Sequence, residues 1–146
     1  GHVDQGVLDK LLKHSYFDRP YPKSLDRDTF SFAALEYLSP EDGAATLAAF
    51  TAHAVLKAAQ QLPASPLQWL ICGGGRHNRV LMGNLRDVLG VPVEPVEAVG
   101  WQGDALEAQA FAFLAVRSLY GLPISFPQTT GTTKPMAGGV CHLPLA

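Results

Sequence analysis

The stretch LQWLICGGGRHNRVLMGNLRDVLG, residues 67–90, decides the fold. An apolar run containing Trp69, Leu70 and Ile71, bounded by Pro66 and by Gly73, Gly74 and Gly75, reads as a short buried strand. The periodic segment behind it reads as a helix from Asn78 to Leu89, with Gly90 as its C-terminal stop. Three glycines between a strand and a helix permit close backbone approach, and free amides at a positive helix end suit a phosphate or a purine edge. The pattern is not GxGxxG, because Arg76 and Asn78 occupy the wrong positions, and no GK[ST] closes it as a Walker A loop. A plain tight turn with Asn78 as helix N-cap accounts for the same residues. At this point both readings stand.

Outward from the turn, VPVEPVE (91–97) reads as a second strand, an edge or a strand end because Pro92 and Pro95 donate no ladder hydrogen bond. The turn GWQG leads into DALEAQAFAFLAVRSLYG (104–121), a helix apolar nearly all round and therefore expected to be buried. Residues 122–146 are rich in Gly, Pro and Thr and read as irregular. Upstream, GHVDQGVLDKLLKH places Val3, Val7, Leu8, Leu11 and Leu12 on one helical face, with Asp4 near its start. A proline-punctuated loop follows (15–30). The next helix opens with Ser39 as cap, Pro40 in the first turn and Glu41 and Asp42 at the positive end of the dipole. Its small-residue stripe runs through Ala44, Leu47, Ala48, Thr51, Ala54, Val55 and Ala58. The result is an α/β chain, helix-rich with a small incomplete sheet. Two strands make a poor sheet: either a further strand is hidden in the loops or chain absent here completes it, and the second is expected.

Composition narrows the function. With 11 basic and 13 acidic residues in 146 and 47% hydrophobic content, the chain shows neither the basic stripe of a nucleic-acid binder nor an acidic tail. The most apolar run, residues 44–59, is interrupted by His53 and Lys57, so no membrane span is expected. Cys72 and Cys141 lack metal-like spacing and read as reduced thiols of a cytoplasmic protein, with a single disulfide as the alternative, and no secretory leader is expected. The five histidines show no metal-ligand spacing either.

Two further groups carry candidate chemistry. Asp104 and Glu107 are three residues apart at a helix start, which matches a capping box. Glu107 also sits among alanine, leucine and phenylalanine, where a carboxylate must cap, pair or face a polar ligand. Lys23 and Ser24, in a proline-rigid loop, can meet phosphate or simply be solvated, and the cluster TTGTTKP (129–135) offers hydroxyls and amides to an anion or forms a flexible tail.

Taken together, GHVDQGVLDKLLKHSYF, the PKS of YPKSLDRDTF, FTA (50–52), ICGGGRHNRVLMGNL, GDALEAQAFAFLA and TTG (129–131) resemble the anhydro-N-acetylmuramic acid kinases. These are sugar kinases of the actin/hexokinase/Hsp70-like superfamily. The pair GGG-x-x-N and D-A-L-E-A-x-A-F-A-x-L-A, in this order, is the specific part. The resemblance implies a two-lobed enzyme of ribonuclease-H-like, actin-like ATPase fold, with ATP and Mg²⁺ in the cleft. This chain would be part of its C-terminal lobe, with the N-terminal lobe of the same protein as partner. The implied reaction transfers the γ-phosphoryl group of ATP to the 6-oxygen of 1,6-anhydro-N-acetylmuramic acid while water opens the ring at C1, feeding peptidoglycan recycling. The water-activating aspartate and the phosphate loop of the family match nothing here, so no catalytic residue is assigned to this chain. What carries over is nucleotide contact by Gly73, Gly74, Gly75 and Asn78, and a sugar-side role for Glu107 and, beside it, Asp104. Phosphate-side roles for Lys23 and Ser24 carry over less directly, since Tyr21, Leu25, Asp26 and Asp28 depart from the family's PPKSTGR-E pattern.

Two rival readings compete. An α/β dinucleotide-binding domain would need an acidic residue about 20 positions beyond the turn to hold a ribose, and Glu94 and Glu97 have that spacing. A non-catalytic lobe would use its incomplete sheet as an interaction edge, with a homodimer as the simplest outcome.

Overall fold

The computed structural model describes residues 1–142, the Arg27 side chain excepted, and carries two compact units. One comprises Gly1–Arg19 with Leu25–Asp104; the other comprises Pro20–Ser24 with the chain from Ala105 onward.

The first unit holds three helices and the sheet. Helix α1 (Gln5–Leu12) begins where Asp4 accepts the amide of Val7 at 2.8 Å. Helix α2 (Pro40–Ala59) is capped by Ser39, whose hydroxyl accepts the amide of Asp42 at 3.1 Å, with Pro40 at its first position. Strand β1 (Trp69–Ile71) pairs in parallel with β2 (Val93–Pro95), Trp69 opposite Val93 and Ile71 opposite Pro95. Helix α3 (Arg79–Leu89) crosses between them and ends at Gly90, whose φ of +67° lies in the left-handed region. This strand–helix–strand unit meets the expectation of a small α/β layer around the glycine turn.

Two clusters form the interior of this unit. Leu8, Leu11, Phe17, Ala49 and Phe50 make one, with Phe30 edge-on to Phe50 at 5.5 Å between ring centroids. Ala52, Met82, Leu85 and Val93 make the other, flanked by Val55, Trp69 and Ile71. Helix α2 serves both, which explains a correction to its expected face. The buried residues are Thr46, Ala49, Phe50 and Ala52, whereas Leu47 and Thr51 of the expected stripe are exposed. In an alanine-rich helix every face is small, and the bulk of Phe50 chooses the one that turns inward. Strand β1 is likewise half-buried rather than buried, as befits a sheet of only two strands among the described residues.

The second unit is built on α4 (Leu106–Leu119). Its expected burial is overturned: no residue of α4 is buried, and Phe111, Phe113 and Leu119 are 64%, 61% and 69% exposed. An all-round apolar helix needs packing partners on every side, and the described part of this unit supplies few. The irregular segment contains a four-residue helix, α5 (Pro127–Thr130), and an antiparallel bridge between Ser125 and Met136. Its last four residues lie outside the described ones. Gly131 ends α5 at φ +74° and lies against Pro22, so the TTG and PKS segments are neighbours within this unit.

Candidate functional site

Strand β1 delivers the chain to Gly73, where φ is +71°, a backbone region in which an L side chain would be strained. A single 3₁₀ turn, Gly74–His77, then leads into α3. Asn78 sits between the two, and its side-chain oxygen accepts the amides of Val80 and Leu81, both at 3.1 Å. That is an N-cap, satisfying two amides that the helix start leaves open.

The three glycines differ in what surrounds them. A methyl group added at Gly74 would meet nothing within 4 Å, and the same holds at Gly73, whereas at Gly75 it would lie 3.3 Å from Leu81. All three are exposed. The outer side of the turn is therefore open to a ligand's close approach. At the start of α3 lies a hollow of about 350 Å³, walled by Glu41, Ala44, Ala45 and Ala48 of α2, by Asn78 and Val80, and by Gly1, with none of the turn's three glycines in its lining. The small side chains of Ala44 and Ala48, expected in a packing stripe, instead line this space. Its volume falls within the usual range for small-molecule sites, roughly 300–1,000 Å³.

The inner side of the turn is held by Arg76. Its Nε donates to Glu97 at 2.9 Å, and its guanidinium also donates to Asp104 at 2.8 Å and to the Gly73 carbonyl at 2.9 Å. The Arg76 side chain is only 4% exposed, against 47% for Glu97 and 78% for Asp104. The loop after β2 supplies these partners: a 3₁₀ turn, Val96–Val99, ends at Gly100, and the chain returns so that Gly73 N–H donates to the Gly103 carbonyl at 3.3 Å. Glu97 also accepts the Gly103 amide at 3.2 Å. Electrostatics follows the geometry. The hydrogen bond from Arg76, helped by His77 at 3.5 Å, pulls the Asp104 carboxyl down to about 2. Glu97 is lowered first by its own backbone amide and then by Arg76. Asp104, and then Glu97, raise Arg76 above the ordinary guanidinium value.

The structure thus brings Gly73, Gly74, Gly75, Asn78 and Asp104 into the first unit, and leaves Lys23, Ser24 and Glu107 in the second. The expected capping box is absent. Helix α4 has Ala105 at its N-cap position without a side-chain bond, Glu107 is exposed, and the Asp104 carboxylate is spent on Arg76. A long-range ion pair has outcompeted a local cap. The TTG hydroxyls are also engaged: Thr129 and Thr130 both donate to the Phe126 carbonyl at 3.1 Å, and Thr130 touches Ser125. Glu97, one of the acids the dinucleotide reading requires, holds Arg76 and the Gly103 amide instead of standing free. Sequence reading missed Arg76, Glu97 and Gly103 as a group, because 21 and 28 residues separate Arg76 from its acidic partners. It also left His77 without an orienting group, which Asp104 provides from 27 residues away.

A sequence model of the anhydro-N-acetylmuramic acid kinases matches residues 1–143. The chain is 58% identical over 139 residues to the anhydro-N-acetylmuramic acid kinase of Rhodospirillum rubrum, covering 95% of this chain and 37% of that protein. Against the kinase of the same name from Acidiphilium cryptum it is 59% identical over 142 residues, covering 95% and 39%. For that of Caulobacter vibrioides it is 55% identical over 139 residues, covering 95% and 38%. The chain therefore spans well under half the length of these relatives. Match over nearly its whole extent, with the glycine turn and the GDALEAQAFAFLA segment inside the matched region, means that the chain belongs to the anhydro-N-acetylmuramic acid kinase family.

Proposed function

We propose that this chain forms part of the C-terminal lobe of an ATP-dependent kinase acting on 1,6-anhydro-N-acetylmuramic acid, and that its contribution is the purine side of the nucleotide site. The observation that carries this is the open glycine turn, which leads into Asn78, a residue that also walls the alanine-lined hollow of about 350 Å³. A flat heterocycle needs a small-walled slot and backbone close enough to touch, and a methyl-sized space lies open at Gly74. When bound, ATP would supply the γ-phosphoryl group for the sugar 6-oxygen while water opens the anhydro ring, giving N-acetylmuramic acid 6-phosphate. This chain's part is to hold and orient the nucleotide, which in phosphoryl transfer is most of what a protein contributes.

No group of three His, Cys, Asp or Glu able to hold a metal occurs among the described residues. No step is therefore assigned here to Mg²⁺, which in such enzymes rides largely on phosphates and water. Glu107 on the first turn of α4 is proposed to meet the sugar, and Lys23 and Ser24 the phosphate side. The actin-like fold, the N-terminal lobe as partner, pairing into a homodimer and a cytoplasmic setting belong to the same proposal. No described helix is long and apolar enough to cross a membrane.

Gly74→Ala in the full-length protein tests the nucleotide reading. The added methyl meets no protein atom, so the fold stays intact. ATP affinity measured by calorimetry is expected to fall while the thermal midpoint holds. Unchanged ATP affinity would remove the turn from the nucleotide site.

A further inference from the structure

The Arg76 guanidinium makes three donations at once, to Glu97, Asp104 and the Gly73 carbonyl, and none of them leaves the protein. The circle closes through Gly103: its amide donates to Glu97 and its carbonyl accepts from Gly73. Space at Gly103 is exhausted. A methyl group there would lie 2.4 Å from Arg76 Nε, 2.7 Å from its Cζ and 2.8 Å from Glu97 Oε1. Only glycine lets the guanidinium lie against this backbone. Solitary exposed ion pairs contribute little, but here two carboxylates and a backbone carbonyl converge on one Arg76 side chain that is itself only 4% exposed. A planar fork with several fixed donors suits such a role, and a lysine point charge does not.

What the fork holds is a turn that would otherwise be loose. Three consecutive glycines are the most permissive backbone available, and ordering them at the moment of binding would weaken any ligand. We infer that Arg76 is a positioning residue: it ties the glycine turn to Glu97 and to Gly103–Asp104, so that the exposed face at Gly74 meets the nucleotide already ordered. The inference rests on the nucleotide reading above and adds to it which side chain makes the turn competent.

The test uses the full-length protein carrying Arg76→Gln, Arg76→Lys and Gly103→Ala, with Gly74→Ala alongside, and steady-state kinetics with MgATP and the anhydro sugar. In Arg76→Gln and Gly103→Ala the KM for ATP is expected to rise by about tenfold, the lower end of what losing an outer supporting hydrogen bond costs at metal sites. The sugar KM and the kcat at saturating ATP should stay within about twofold, the signature of lost nucleotide binding alone. Arg76→Lys should fall between. A merely structural Arg76 would worsen kcat and both KM values together in Arg76→Gln, which overturns the inference. If Gly74→Ala raises the KM for ATP and Arg76→Gln does not, the inference fails while the nucleotide reading stands. If Gly74→Ala leaves ATP untouched, both fail.

Discussion

Asn78 shows a helix cap that is read from the sequence and found in the structure. Its oxygen is occupied by the amides of Val80 and Leu81, so its removal is expected to act on stability before ligand binding. Asn78→Ala should cost about 1 kcal/mol in chemical denaturation, the usual worth of such a cap, and Asn78→Asp should retain most of it. Asp104 makes a second residue-scale prediction. Its carboxyl titrates at about 2 in the folded chain against an ordinary value of 3.8. A depressed folded value means the unfolded chain takes up the proton more readily. The stabilisation is therefore complete above about pH 4 and drains away as pH falls towards 2. Asp104→Asn should flatten the acid limb of the midpoint-versus-pH curve in that window. An unaltered acid limb would mean that Arg76 does not hold this carboxylate. Sequence could name Asp104 as important but not why, since its partner lies 28 residues away and nothing local signals it.

At the scale of elements, caps and stops were legible and faces were not. Asp4, Ser39, Asn78 and Gly90 mark their helix ends as chain chemistry dictates, because a cap is a contact over two or three residues. Which side of a helix turns inward depends on what it meets. In α3, Met82 and Leu85 are buried and polar residues share the helix, so pattern and packing agree. In α2 the alanines blur the pattern, and in α4 apolar residues on all sides point to burial that the described chain does not provide. The two helices should answer mutation differently. Leu85→Ala, at 3% exposure, is expected to cost about 2–5 kcal/mol from lost burial and the cavity left behind. Leu119→Glu on α4 should change the stability of this isolated chain by no more than about 0.5 kcal/mol, as exposed positions do. A large loss from Leu119→Glu would show that α4 is packed in solution. The 3₁₀ turns at Ser15–Asp18 and Ala33–Tyr37 escaped notice for another reason, being too short to carry a period.

The whole molecule inherits the condition of α4. Phe111, Phe113, Val116, Leu119 and Tyr120 are exposed along one helix, and Val140 in the same unit is exposed too. Soluble proteins rarely leave large apolar patches open unless something covers them. The sheet has the same character, because two parallel strands both present an edge and seldom stand alone. The relatives are more than twice as long as this chain, and under the proposal that it is part of one lobe, the rest of the polypeptide would cover both. On that account the isolated chain should bind the dye ANS under native conditions and self-associate as its concentration rises. Co-production with the rest of the full-length sequence should suppress both behaviours, and Phe113→Ser with Leu119→Ser should suppress them in the isolated chain. The paired serines distinguish patch from edge: loss of ANS binding with association retained would assign association to the open sheet. A chain that stays monomeric and dark to ANS would mean that α4 finds its cover within these 146 residues. The need for a complementary part of the polypeptide would then disappear, and with it the proposal that this is a piece of one lobe.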